Sequence, residues 1–595
     1  MNHSLDMPRV SGARGASGMP GASRPRRAFW LVASVFLNAL LPSQGAAQNL
    51  DVVIRGGRIL DGSGNPAFNA DVGIRGDEIV RVGDLSDATA GRVIDATGLY
   101  VVPGFIDMHS HADRAFASDD VDARRAHNLV VQGITTVVFG PDGRNPTWPI
   151  ADEMQAYRTP GVAMNVVPMV GHGTVRGLVM GDDYERAATD AEVRQMQELV
   201  RLGMEDGAWG LGAGPEYRPG RFSTTEEIIA LAEIVAEYDG FYFSHQRSQS
   251  PLPLWQTPSM LTGEVPLTGT DGMKETIRIG RETGIRVVGS HIKAKGTDMW
   301  GQSALDVLRI DRARAEGVQV YLDQYPYETF GGGPTDIIPV WAYAPPGTDR
   351  SGGLDDPAWR GLTGASVENL ARNLADPAIR EDLIRDSEYL LRMKGGADRL
   401  IIVLSPSEED LVGKTLAEVA VANGMGAIEQ LITFALEAGE PIPSGVLFRP
   451  IAGHAEDVER YMRQDYTATS TDGGVSGFTR PGQHPRYYGA LVRKISYYAK
   501  ERGVISLPFA VRSSSGLPAQ IVGLTDRGYV REGFKADITV FDYERLDDRA
   551  TILEPDLYPE GIEYVMVNGV LTLDEGTLTG ALPGAVLDRG EVRGR

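Results

Sequence analysis

Residues Pro103–Asp113 read PGFIDMHSHAD. An apolar, strand-like run, Tyr100–Ile106, leads into two histidines, His109 and His111, with one serine between them. Side chains two apart on an extended chain point the same way. The spacing therefore aims two imidazoles at one point, as a metal ion requires. Only nine histidines occur in 595 residues, so two at one strand end call for an explanation. A single His-x-His pair is weak by itself, because two solvated loop histidines give the same text.

Outward from this stretch the same pattern repeats. Strand-like runs follow at Thr135–Phe139, Met164–Met169, Trp209–Ala213, Phe241–Ser244, Arg286–Ser290, Gln319–Leu322 and Tyr466–Thr469. Helix-patterned segments such as Thr225–Tyr238 and Ala304–Glu316 separate most of them. Eight βα units predict an α/β chain folded as a TIM-like (β/α)8 barrel, with a doubly wound open sheet as the alternative.

In such a barrel the chemistry sits at the C-terminal ends of the strands. His245 closes FYFSH, His291 closes VVGSH, and Asp472 follows the last strand in TATSTDG. Any one of these could be a buried, hydrogen-bonded residue. Together with His109 and His111 they place five metal-ligating side chains at the ends of four strands, which predicts a metal site. Asp472 is also the best candidate for a general base, because a carboxylate beside a cation stays ionised.

The two ends of the chain echo each other. Asn49–Val101 and Tyr529–Gly580 are short β-like runs broken by Gly, Asn-Gly and Glu-Gly turns, which predicts one small β-sandwich domain built from both. The expected organisation is a leader over 1–47, β-domain segments over 48–102 and 512–590, and the barrel over 103–511. Within the barrel, 329–398 reads as an insertion over the mouth, in the manner of a lid.

Arg24, Arg26 and Arg27 precede the apolar stretch Ala28–Leu41, and small residues follow at Gly45 and Ala47. This reads as a signal peptide cut near Ala47, of the twin-arginine or general secretory kind, and implies a periplasmic or secreted protein with no stable membrane anchor after cleavage. The apolar stretch is shorter than the roughly 20 residues of a membrane span. The formal charge of −22 argues against a nucleic-acid partner. The absence of cysteine excludes disulfides, thiolate metal ligands and a cysteine nucleophile. Composition leaves the oligomeric state open.

PGFIDMHSHAD, GHGTVRGLVMG, GPEYRPG, SHIKAKG, DQYPYE, STDGG, HPRYYG and GLTDRGYVREGFKADITVFD, in this order, resemble the amidohydrolase superfamily. More closely they are similar to the N-acyl-D-amino-acid deacylase (D-aminoacylase) family, over about Leu50–Gly580. The resemblance implies a metal-dependent hydrolase barrel and zinc-dependent cleavage of an N-acyl amide. That family carries a metal-binding cysteine after the second strand. Here the matching text is GPDG, which puts Asp142 in its place, although Asp-Gly is also a common turn pair. A carboxylate can bridge two ions. Asp142, His245 and His291 are then expected to hold the tighter zinc, with His109, His111 and Asp472 forming a second position. The resemblance also implies that Lys293, Tyr325 and Arg486 bind the substrate's free carboxylate. A dipeptidase, a cyclic-amide hydrolase and an ester or lactone hydrolase on the same barrel are the enzymatic alternatives. A non-catalytic periplasmic binding protein is the alternative of another class.

Overall fold

The computed structural model describes residues 49–593 apart from 262, 264–266, 331–336, 349–363, 407, 439–444 and 476–482. The expected leader, 1–47, lies outside the described residues. Eight parallel strands form the barrel. They are Phe105–Asp107, Ile134–Phe139, Asn165–Pro168 continued by Val170–Gly171, Gly210–Ala213, Phe241–Ser244, Arg286–Gly289, Val320–Gln324 and Thr467–Thr469. The last strand reaches back to the first through the site's own backbone. His111 N–H donates to Gly473 O at 2.7 Å, and Asp472 N–H donates to His109 O at 2.9 Å. Closing the barrel thus fixes the loops that carry the polar side chains.

The interior is filled by Ile106, Met108, Val138, Val167, Phe241, Phe243 and Val288, all buried in one cluster with Leu517, Ile521 and Val522. Those last three come from the helix Gly516–Val522, which closes the N-terminal end of the barrel. Arg286, the first residue of its strand, donates from Nη1 to Gln520 O at 3.3 Å there. Burial of large apolar side chains at this end, worth about 1.5–3 kcal/mol each, leaves the opposite end free for chemistry.

Three expected boundaries move. The run Tyr100–Ile106 is two strands, because the chain turns between sheets at Gly104. Tyr100–Pro103 pairs with Ile538–Phe541 outside the barrel, and Phe105–Asp107 pairs with Ile134–Phe139 inside it. A Cβ on Gly104 would lie 2.2 Å from the Thr135 side chain, so only glycine fits the crossing. The barrel does not end at 511, since the helices Leu507–Ser514 and Gly516–Val522 pack on its strands. The insertion does not end at 398. Helices Val367–Ala375 and Pro377–Met393, the antiparallel pair Leu400–Leu404 and Leu447–Pro450, and helices Leu416–Ala422 and Ala427–Glu437 share one apolar cluster separate from the barrel's. The insertion therefore runs on to Pro450. It is latched to the barrel at buried Asp386, which accepts from Thr257 Oγ1 at 2.9 Å, Ser259 N at 2.9 Å and Trp341 Nε1 at 2.7 Å.

The two chain ends build one nine-stranded network. Asn49–Ile59 pairs with Phe68–Arg75, Thr89–Asp95 and Tyr100–Pro103, and Ile538–Phe541 continues the sheet into the C-terminal hairpins. Its core packs Ile54, Ile74 and Ile94 from one end of the chain against Val540 and Met566 from the other. The turns are those the text promised. Asn568 and Gly569 sit at φ 48° and 80°, and Glu575 and Gly576 at 49° and 72°, the paired left-handed conformation that suits a twisted hairpin.

Candidate metal centre

The four strand-end histidines and both aspartates converge at the C-terminal mouth of the barrel. His109 Nε2 lies 3.2 Å from His111 Nε2. Asp472 Oδ1 lies 3.1 Å from His111 Nε2 and 3.5 Å from His109 Nε2. On the other side, His245 Nδ1 lies 2.8 Å from His291 Nε2. Asp142 stands between the two groups. Its Oδ1 is 3.5 Å from His245 Nδ1 and 3.7 Å from His109 Nε2, and its Oδ2 is 3.6 Å from His111 Nε2. Three sets could each hold an ion: His109–His111–Asp142, His109–His291–Asp472 and Asp142–His245–His291, with ligand atoms within 4.8 Å of one another. Asp142 belongs to two of these sets. Its Oδ1 is buried and accepts no hydrogen bond among the described residues, which is the unsatisfied oxygen a cation would complete.

The backbone is strained where it presents these groups. His291 and Asp472 both sit at positive φ, 32° and 46°, a conformation that costs non-glycine residues energy and that surrounding structure must enforce. Two buried carboxylates provide that enforcement. Asp107 accepts from Thr471 N at 2.8 Å, Thr471 Oγ1 at 2.6 Å and His109 N at 3.2 Å, tying the first and last strand ends together. Asp323 accepts from His291 N at 3.0 Å. Burial raises the carboxyls of Asp107 and Asp323 to about 7.

The electrostatics favour neutral imidazoles at His109 and His291, whereas at His245 the Asp142 and Glu216 carboxylates outweigh burial and raise the ring's pKa. Burial, and for His291 the Lys293 ammonium, keep His109 and His291 neutral, His109 at about 3. A neutral imidazole is the form that binds metal. Burial opposes the ionisation of Asp142, but His245, His109 and His111 hold its carboxyl well below the usual range. Burial likewise opposes Asp472, and Arg486 followed by His109 and His111 overcomes it. His111 is raised to about 9, because Asp472 and Asp142 outweigh its burial.

The three residues expected to bind a carboxylate line the same cavity, of ≈ 260 Å3. Lys293 Nζ donates to Gln249 Oε1 at 3.0 Å and lies 5.5 Å from the centre of the Tyr325 ring. Arg486 stacks over Tyr325 at 4.7 Å, and its Nη1 lies 2.9 Å from Asp472 Oδ2. Arg486 thus faces the candidate base as well as the cavity, a pairing the sequence did not announce. His484, two residues before it, accepts from Arg486 N at 3.0 Å and only supports it.

Sequence reasoning missed Glu216. It is buried three residues past the fourth strand, and its Oε2 lies 2.9 Å from His245 Nε2 while its Oε1 accepts from Leu254 N at 2.7 Å. It fixes the ring so that Nδ1 faces His291 and Asp142. Nothing in GPEYRPG distinguishes this acid from a solvated loop residue. Asp107 and Asp323 carried a signal, since each is a charge inside an otherwise apolar strand.

A family model described as amidohydrolase family matches residues 92–241 and 376–573. A D-aminoacylase from Alcaligenes xylosoxydans xylosoxydans is 32% identical over 569 residues, covering 92% of this chain and 99% of that protein. The solved structure of a D-aminoacylase described as having a binuclear metal center superposes with a TM-score of 0.67 at 29% identity, covering 91% of this chain and 100% of that one. An N-acyl-D-glutamate deacylase from Bordetella bronchiseptica, solved with zinc and a phosphonate mimic of the tetrahedral intermediate, gives 0.69 at 28% identity, with the same coverage.

Proposed function

Because this chain belongs to the amidohydrolase family, within its N-acyl-D-amino-acid deacylase branch, we propose that it hydrolyses the amide bond of N-acyl-D-amino acids to a D-amino acid and a carboxylic acid. It is a hydrolase of carbon–nitrogen bonds other than peptide bonds. The observation that carries the reading is the convergence of His109, His111, His245, His291, Asp142 and Asp472 at one barrel mouth. Four imidazoles and two carboxylates are a donor set suited to zinc.

Asp142, His245 and His291 would hold one zinc, and His109, His111 and Asp472 a second position beside it. Bound there, zinc would lower the pKa of a water from about 15.7 to about 7 and polarise the scissile carbonyl. Asp472 accepts the proton of the attacking water and delivers it to the nitrogen of the leaving amino acid. The Arg486 guanidinium keeps Asp472 ionised between turnovers. Lys293, Tyr325 and Arg486 line the wall where the substrate's α-carboxylate would dock, and the planar fork of Arg486 suits two carboxylate oxygens. The partner is a small molecule with a free carboxylate. The basic and apolar text of residues 1–47 supports the reading that the mature enzyme works in the periplasm or outside the cell. The N-terminal sequence of protein from a periplasmic fraction tests that placement.

The deciding experiment uses zinc-loaded protein lacking residues 1–47. Paired N-acetyl-D- and N-acetyl-L-amino acids are assayed for release of free amino acid, with a chelator control. The expected result is D-selective release that the chelator abolishes and added zinc restores. No release from either enantiomer with zinc bound would overturn the reading.

A further inference from the structure

Beside the metal cavity lies a second, smaller cavity of ≈ 60 Å3, between the barrel loop that starts at Ser250 and the insertion. The two share Ser250, Leu254 and Lys295 in their linings, so they adjoin there. The side chains of Lys295 and Lys394 both line the second cavity, and no carboxylate does. Among the described residues neither ammonium has a hydrogen-bond or ion-pair partner. The charges that act on Lys394 are those of Lys295 and Arg449, both positive. Lys295 has Glu216 nearby, but both Glu216 oxygens are engaged, by His245 and by Leu254 N–H. Asp386, which bonds the lining residues Thr257 and Trp341, is already taken up by them and by Ser259 N. A third donor, the indole Nε1–H of Trp255, is buried without a partner at the same cavity.

Donors without acceptors, half-buried beside an apolar wall, are costly unless an anion completes them. The chain as a whole is strongly acidic, with 80 Asp and Glu against 58 Lys and Arg, so a cationic recess in it is a local feature. The α-carboxylate is accounted for by Lys293, Tyr325 and Arg486. The volume holds only a few water-sized groups, which fits a carboxylate and not a long acyl chain.

We propose that this cavity, with Lys295 and Lys394 as its cations, binds a second carboxylate of the substrate, so that the preferred substrates are dianionic N-acyl-D-amino acids. The inference rests on the deacylase reading for its chemistry and on the cavity for its specificity. The second carboxylate comes either from an acidic side chain or from a dicarboxylic acyl group, and isosteric pairs separate the two. For the side chain, N-acetyl-D-glutamate is compared with N-acetyl-D-glutamine. For the acyl group, N-succinyl-D-alanine is compared with N-butyryl-D-alanine.

With the zinc-loaded enzyme, kcat/KM for the dianion of one pair is expected to exceed its neutral isostere by at least about tenfold. Lys394→Met, at a residue that does not line the metal cavity, should erase that ratio while leaving turnover of the neutral substrates unchanged. Equal or better turnover of the neutral member in both pairs overturns the proposal, as does a ratio that Lys394→Met leaves intact. Calorimetric binding of glutarate against butyrate to the same two proteins keeps the test independent of catalysis. Glutarate favoured by wild type and not by Lys394→Met supports the site even if no substrate here is turned over, a result that would count against the deacylase reading alone. Indifference to the second carboxylate in both proteins overturns the site.

Discussion

His245 and His291 on one side of Asp142, and His109, His111 and Asp472 on the other, differ in what stands behind them. His245 is braced by the Glu216 carboxylate at 2.9 Å, and His291 hangs from Asp323 through its own backbone N–H. Both rings are enclosed. On the other side the His109 ring meets only a hydroxyl, Ser290 Oγ at 2.7 Å, while its backbone N–H donates to Asp107 Oδ1 at 3.2 Å, and the His111 side chain is 35% exposed to the cavity. Asp472 answers to Arg486 as well as to the histidines. On the proposed reading, one half would hold the tighter ion and the other would react. A ligand that must also carry a proton cannot be pinned as firmly as one that must only stay, so the braces are unequal where the chemistry differs.

The largest effect that sharpens this contrast is at the reacting carboxylate. Asp472→Asn keeps shape and the neighbouring imidazoles but cannot take a proton. The expected loss in kcat is about 10²–10⁴-fold, with zinc content at the tight position unchanged by atomic absorption. Near wild-type turnover would remove Asp472 from the base role, and loss of all zinc would make it a holding residue after all.

Next in size is the brace of the holding half. Glu216→Ala leaves His245 free to rotate and Leu254 N–H without its acceptor. Zinc affinity, measured by competition with a chromophoric chelator, is expected to fall about 10–100-fold. Affinity within twofold of wild type would mean that the ring is held by packing alone. Asp142→Ala probes the shared residue between the halves. With its two oxygens facing His109, His111 and His245, its loss should lower stoichiometry as well as affinity, leaving at most one ion per chain. Two ions still bound would show that the halves do not depend on a bridge.

The same contrast explains what was legible in the sequence. Ligands that end strands could be read, because a polar residue closing an apolar run is visible in one dimension: FYFSH, VVGSH and TATSTD each show it. Seven of the eight barrel strands fell within a residue or two of their expected places for the same reason. The first did not, because two strands of different sheets share the run Tyr100–Asp107 and only the tight crossing at Gly104 divides them. The braces were not legible. Glu216 reaches His245 across 29 residues and Ser290 reaches His109 across 181, contacts that exist only once the barrel has closed. The insertion's true end at Pro450 was hidden likewise, since the pairing of Leu400–Leu404 with Leu447–Pro450 spans more than forty residues of helix and loop.

The smallest effect tests the weaker brace. Ser290 Oγ and His109 Nδ1 form a neutral hydrogen bond in a buried place, and Ser290→Ala removes it with little change in volume. A neutral bond contributes about 0.5–1.5 kcal/mol net, and a charge-assisted one roughly twice that. The Ala variant should therefore weaken binding of the second ion by about 2–10-fold and leave the first ion's affinity where it was. His109 also stacks against His291 at 4.8 Å and against the edge of Phe243 at 5.6 Å, so its ring keeps its place without the hydroxyl. Titration of the two ions in sequence separates the halves. A fall confined to the weaker step confirms that the two sides of Asp142 are braced unequally. An equal fall in both steps would mean that His109 supports the tight ion too, and the division between holding and reacting halves would have to be drawn elsewhere.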